Sequence, residues 1–169
     1  MRPQAPELWI LRHGETVWNV AGRLQGHLDS PLTATGRAQA CTQRDILWRC
    51  LPAGVRAISS PSGRAWDTTR IAAGALGLPI TADDALREIR IGAWQGRLID
   101  DIAAELPADA RADPHLWKFA APGGEQLRDM VARLTAFLAR LDGPAVLVTH
   151  GVTSRLLRCL LLGRPPEAL

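Results

Sequence analysis

Leu8-Trp9-Ile10-Leu11-Arg12-His13-Gly14-Glu15-Thr16 is a short apolar run, Leu8 to Leu11, that stops abruptly in Arg-His-Gly. A run of this length, bounded by a glycine, has the pattern of a buried strand. In parallel α/β sheets ligands lie beyond the carboxyl ends of the strands, so the run delivers a cation and an imidazole to a mouth. That pairing suggests an anionic substrate met by a nucleophile or base. Near the other end of the chain, Ala145-Val146-Leu147-Val148-Thr149 repeats the pattern and also ends in His-Gly, at His150-Gly151, before a helical stretch. If the two strands are neighbours in one sheet, His13 and His150 face a common site.

The segments between them alternate. Pro31-Leu32-Thr33 opens a helix with Thr33 as its cap, running to about Trp48 before Pro52-Ala53-Gly54 turns the chain. A strand is expected from Val55 to Ser59. A second helix begins at Pro61-Ser62, with Ala65, Thr69, Ala72 and Leu76 at helical spacing, and stops at Gly77 and Pro79. Gly123-Gly124 is read as the start of a third helix with Leu127, Val131, Leu134, Leu138 and Leu141 on one face. The last helix spans about Val152 to Leu162, ended by Gly163 and Pro165-Pro166. From about residue 81 to 123 the pattern is less regular, with Leu86-Arg87-Glu88, a Gly92-Ala93-Trp94-Gln95-Gly96 turn and a short helix near Leu98 to Glu105. Such an insertion often roofs a site. The alternation predicts an α/β fold, a three-layer α/β/α sandwich with a mostly parallel central sheet, as a single domain over residues 1–169.

Composition narrows the classes. At 47% hydrophobic residues with mixed charge, 169 residues suffice for one core and argue against disorder. The net charge is only +3, and the twenty basic residues, all arginine except Lys118, are scattered, so no stripe for nucleic acid is visible. Cys41, Cys50 and Cys159 are odd in number and form no C-x-x-C, which supports neither a disulfide framework nor a zinc site. The histidines lack metal-ligand spacing, and His27 and His115 read as exposed loop residues. No leader pattern opens the chain, and Arg155 and Arg158 interrupt its longest late apolar stretch, so neither export nor a membrane span is expected and the cytoplasm is the simplest location.

Arg12-His13-Gly14-Glu15-Thr16 followed by Asn19 resembles the signature of the histidine phosphatase superfamily, the phosphoglycerate mutase-like proteins. Four more blocks match in order. They are Gly22-Arg23 through Gly26 to Asp29-Ser30-Pro31-Leu32-Thr33, then Ser60-Pro61-Ser62-Gly63-Arg64-Ala65, then Leu86-Arg87-Glu88 before the tryptophan turn, and finally His150-Gly151. The resemblance runs from about Leu8 to Pro166. It implies that His13 is the residue phosphorylated, that Arg12, Arg64 and His150 hold the transferring phosphoryl group, that Asn19 donates a further hydrogen bond, and that Glu88 gives the leaving oxygen its proton. The catalytic set is then His13, Glu88 and His150. Arg23 could reach the distal part of a substrate, though it reads more simply as scaffold, as do Gly26, Asp29, Leu32 and Gly36. Glu125, after Gly123-Gly124, has a plain helix-dipole explanation, and Trp18 and Trp94 read as packing residues.

Phosphoryl transfer needs an in-line nucleophile, cations around the equatorial oxygens and a proton for the leaving group, and each has a candidate here. Glu88 would need a raised pKa, which burial favours and Arg12 and Arg64 oppose. The expected activity is metal-independent hydrolysis of a small phosphorylated metabolite, such as a ribazole or sugar phosphate, through phosphohistidine, with no cofactor and no metal. Mutase-type transfer and a catalytically silent binder of phosphorylated ligands are the alternatives. Two departures from the family pattern stand out. Asp67 takes a place where glutamine is usual, either weakening phosphate binding or orienting Arg64, and the chain stops at Leu169 where relatives continue into a further strand. The second would reflect a truncated product or leave an open sheet edge that invites a homodimer.

Overall fold

In the computed structural model, which describes residues 6–107, 109 and 113–169, β1 (Leu8–Arg12), β2 (Arg56–Ser59), β3 (Ile80–Ala82) and β4 (Ala145–Thr149) form one sheet in the order β1-β4-β2-β3. Every pairing in it is parallel. The helices are α1 (Val17–Val20), α2 (Ala34–Cys50), α3 (Gly63–Ala72), α4 (Ile99–Glu105), α5 (Leu127–Ala139) and α6 (Gly151–Leu161), with several single 3₁₀ turns between them.

The layers follow from the strand period of two. Along β4, Ala145 and Leu147 face one way, into a core with Met130, Leu134, Phe137, Leu156 and Leu157 of α5 and α6. Val146 and Val148 face the other way, onto Leu47 of α2 and Ala65 and Ala72 of α3. All five residues of β4 are buried, as expected for a central parallel strand covered on both faces. The three-layer α/β/α sandwich expected from the sequence is therefore the one observed.

Local chemistry explains the element ends. Thr33 accepts the Gly36 N–H through its side chain and caps α2. Gly14 and Gly36 let the loop after β1 press on the start of α2: a Cβ on Gly14 would lie 2.2 Å from the Gly36 carbonyl oxygen, so neither position admits a side chain without movement.

Several boundaries differ from the pattern reading. The second helix ends at Ala72, and the residues up to Leu76 form a separate 3₁₀ turn. Ile80–Ala82, expected to begin the irregular middle, is an edge strand; at three residues it is too short for alternation to show. The third helix starts at Leu127, not at the glycine pair, so Glu125 precedes it and Leu141 lies beyond its end. Glu125 pairs with Arg133 one face along, at 2.6 Å, and its N–H donates to the Arg90 carbonyl. It fastens the middle segment to α5, where a dipole partner had been expected. The segment itself is more than a roof. Leu86, Ile89, Ile91, Trp94, Ile102 and Trp117 belong to the core under α5 and α6, and Trp94 and Trp117 pack with ring centroids 5.6 Å apart.

Candidate active site

The site is assembled at the carboxyl end of the sheet by strand register. Arg12 is opposite Thr149 in the β1–β4 pair, and the His13 N–H continues the ladder to the Thr149 carbonyl at 2.9 Å. The next residues, His13 and His150, are thereby brought together with ring centroids 5.2 Å apart and planes at 61°. Both are buried. Neighbouring β2 ends in the same layer: the Ser60 N–H donates to the Val148 carbonyl at 2.8 Å, and Ser60 Oγ lies 2.8 Å from His150 Nε2.

His13 Nδ1 lies 2.7 Å from the carbonyl oxygen of Gly14. A carbonyl only accepts, so the ring proton sits on Nδ1 and the lone pair on Nε2. Burial, followed by the Arg64 and Arg12 cations, pulls the imidazole down to about 4, against the opposing Gly14 hydrogen bond and Glu88 charge. The Nε2 lone pair is therefore available throughout the neutral range. His150 is lowered well below its ordinary value by burial and then by Arg64 and His13. Its Nδ1 and the Nε of Arg64 are buried without hydrogen-bond partners among the described residues.

Arg64 is 1% exposed, and a clamp from the loop before α2 holds it. Its guanidinium donates to the Leu28 carbonyl at 2.7 Å, to Asp29 at 3.0 Å and to the Gly26 carbonyl at 2.9 Å. Asp29 also accepts the Arg64 N–H at 3.2 Å, serving the start of α3 where Ser62 makes no side-chain cap. The carboxylate that orients Arg64 is thus Asp29, whose role had been read as scaffold, and not Asp67. Thr68 of α3 accepts the Gly14 N–H at 3.0 Å and so ties the histidine loop to the arginine helix.

Glu88 enters from the irregular middle segment and binds the start of α6. Its Oε1 accepts the Thr153 N–H at 3.1 Å and hydroxyl at 3.0 Å, and its Oε2 accepts the Val152 N–H at 3.1 Å. Burial is the largest influence and acts upward. Together, though, the Lys118 cation and the Val152, Ile89 and Thr153 N–H groups outweigh it, and the carboxyl is held below its usual range. The helix N-terminus supplies the donors that favour the anion, so the raised pKa expected for an acid is absent from the resting site. A Cβ on Gly151 would lie in ordinary van der Waals contact, 3.7 Å from both the Arg12 guanidinium and Glu88 Oε2, so the start of α6 lies against both groups.

Asn19 ends the capping box of α1: its Oδ1 accepts the Thr16 N–H at 3.0 Å. Arg12, His13, Glu15, Asn19, Gln39 and Thr42 line a groove of about 650 Å³. Arg23 donates to the Gly96 carbonyl at 2.8 Å while its backbone bridges to Leu98. It braces the loop against the middle segment. His27 is exposed but its Nε2 donates to the Glu88 carbonyl at 2.9 Å, and His115, expected to be exposed, is half-buried. The Gly26 and Leu28 carbonyls, Asp29, Thr153 and Lys118 were not read as site-shaping residues. Of these, Gly26 and Asp29 stand within a quoted motif and Thr153 beside one, but backbone carbonyls carry no sequence signal.

A parallel sheet that presents two histidines and an arginine at its carboxyl edge, with a second arginine buried behind them and a carboxylate opposite, defines an enzyme of phosphoester chemistry. Residues 8–169 match the model of the histidine phosphatase superfamily (branch 1), and the chain belongs to that family. It is 35% identical to a glucosyl-3-phosphoglycerate phosphatase of Mycobacterium tuberculosis over 96% of this chain and 78% of that protein. A probable phosphoglycerate mutase of Yersinia enterocolitica is also 35% identical, over 96% of this chain and 77% of the other. The solved mycobacterial glucosyl-3-phosphoglycerate phosphatase, in complex with VO3, superposes with a TM-score of 0.80 at 36% identity, covering 96% of this chain and 85% of that one.

Proposed function

We propose that this phosphatase hydrolyses small phosphorylated metabolites through a phosphohistidine on His13, with no metal. The observation that carries the reading is the 2.7 Å bond from His13 Nδ1 to the Gly14 carbonyl, which reserves Nε2 for attack. Nε2 attacks phosphorus, the bond to the leaving oxygen breaks, and that oxygen takes a proton from Glu88. Water then attacks phosphorus and gives a proton back to the Glu88 carboxylate; the bond from phosphorus to Nε2 breaks, its electron pair returns to His13, and phosphate leaves. Arg12, Arg64 and His150 stabilise the charge on the equatorial oxygens, and Asn19, its Oδ1 engaged by Thr16, has its amide N–H groups for the same purpose.

Glu88 has no proton to give in the resting site, where Lys118 and three N–H groups favour the anion. An incoming phosphoester dianion adds negative charge beside it and favours the neutral form, so proton uptake accompanies substrate binding.

Hydrolysis is preferred to mutase-type transfer because His13 borders an open groove of about 650 Å³ that admits water to the intermediate. Free Cys41, Cys50 and Cys159 support a reducing, cytoplasmic setting, and no helix among the described residues is long and apolar enough to cross a membrane.

The test is phosphate release from p-nitrophenyl phosphate and a panel of phosphorylated metabolites in EDTA, with His13→Ala as control. Turnover that survives chelation and disappears in the variant is expected. Loss of wild-type turnover on chelation would overturn the metal-free route, and a folded wild type that releases no phosphate from any panel member would favour a silent binder.

A further inference from the structure

Ser60 is not required by the mechanism above, yet it makes the one protein contact to the ring nitrogens of His150 seen among the described residues. Its position is over-determined. Its N–H is held by the Val148 carbonyl at 2.8 Å, its carbonyl accepts the Ser59 hydroxyl at 2.8 Å, and Thr69 fixes Ser59 in turn at 2.8 Å. Both Ser60 and His150 have no exposed surface.

The Ser62 N–H lies 3.3 Å from Ser60 Oγ, and an N–H only donates, so one lone pair of that oxygen is used. The hydroxyl proton has two acceptors in reach, His150 Nε2 at 2.8 Å and Ser62 Oγ at 3.3 Å. The contact to His150 is the shorter, and its direction is fixed by which ring nitrogen carries the proton. A proton donated to Nε2 leaves the imidazole's own proton on Nδ1, the buried nitrogen with no partner among the described residues.

We propose that Ser60 is a positioning residue that holds His150 in its Nδ1–H tautomer, so that the second histidine donates a hydrogen bond to the transferring phosphoryl group. The proposal rests on the phosphoryl reading of the site. In the opposite tautomer Nδ1 would turn a lone pair toward anionic oxygens, and a stabilising contact would become a repulsive one. Replacing Ser60 by alanine removes a single oxygen from a strand end that backbone bonds already hold.

The experiment is ¹⁵N NMR of the imidazoles in the whole protein, with His150 assigned by the signals lost in His150→Gln, alongside orthovanadate binding. Wild type is expected to show a protonated Nδ1 and an unprotonated Nε2 on His150. Ser60→Ala is expected to lose that preference and to bind orthovanadate roughly 10- to 100-fold more weakly, and Ser60→Thr to restore both. A His150 protonated on Nε2 in wild type would overturn the assignment without any variant, as would an unchanged tautomer and affinity in folded Ser60→Ala. Wild type that binds no orthovanadate would instead overturn the phosphoryl reading, and the role of Ser60 with it.

Discussion

His13 and Glu88 meet across one site but arrive by opposite routes. His13 is placed by the parallel β1–β4 ladder and buried on a sheet whose order requires it to stand beside His150. Glu88 is placed by a segment with only short 3₁₀ turns nearby, and its position depends on donors at the start of α6 and on fastenings such as Glu125–Arg133. The electrostatic outcomes also differ. Burial keeps the histidine neutral, whereas N–H groups and Lys118 keep the carboxylate charged. In the proposed mechanism the sheet delivers the nucleophile, and a carboxylate held by the start of α6 delivers the acid.

The largest expected effect falls on the strand side. His13→Ala should lower kcat by about 10⁴-fold or more while leaving the circular dichroism spectrum unchanged, and, unlike wild type, it should trap no labelled phosphoenzyme after an alkaline denaturing quench, which preserves a phosphorus–nitrogen bond. Residual labelling in that variant would move the nucleophile elsewhere.

On the other side, Glu88→Gln should cost about 10²- to 10³-fold in kcat with alkyl phosphates, whose leaving oxygen needs a proton, but under about tenfold with p-nitrophenyl phosphate. Equal losses on the two substrates would deny Glu88 the role of acid and reduce it to a cap on α6.

Asp29→Ala probes the clamp that joins the two regions. It removes one acceptor of the buried Arg64 guanidinium and the anion at the start of α3, so kcat/KM should fall about 10- to 100-fold and stability by roughly 1–3 kcal/mol in urea titration. The bridge is half-exposed on the Asp29 side, which sets the stability loss below that of a fully buried pair. Asp67→Gln, by contrast, should leave both within about twofold, since Asp67 makes no ion pair with Arg64.

The buried histidines also predict a pH dependence that is read in stability and not in turnover. His13 is lowered from 6.5 to about 4 in the folded chain, so below 6.5 the unfolded state binds a proton that the folded state refuses until about 4. Stability is full above 6.5 and is lost as pH falls through that window, by roughly 3 kcal/mol from this residue alone. His150, shifted the same way, adds to the trend. Thermal midpoints followed from pH 7 to 4 should fall more steeply in wild type than in His13→Asn; parallel curves would contradict a buried neutral His13.

Much of the scaffold was legible in the chain because it is written in local patterns. Apolar runs ended by His-Gly marked β1 and β4, Thr33 marked the start of α2, and the spacing of Ala65, Thr69 and Ala72 marked α3. The family motifs placed His13, His150, Arg64 and Glu88 in one site, and the ladder and the α6 start bring them there. Legibility failed where the physics is not local. β3 is too short to alternate, and the start of α5 was obscured by glycines belonging to the preceding turn.

The sequence by itself determined which residue types are delivered to the sheet edge, because strand period, helix caps and turn glycines are properties of consecutive residues. Only the tertiary structure decided how they behave there. That Asp29 and not Asp67 orients Arg64, that Ser60 reaches His150, and that Glu88 rests as an anion all depend on backbone carbonyls, N–H groups and burial contributed by segments far apart in the chain. Protonation and tautomer are set by the sum of those surroundings, and no stretch of sequence contains that sum.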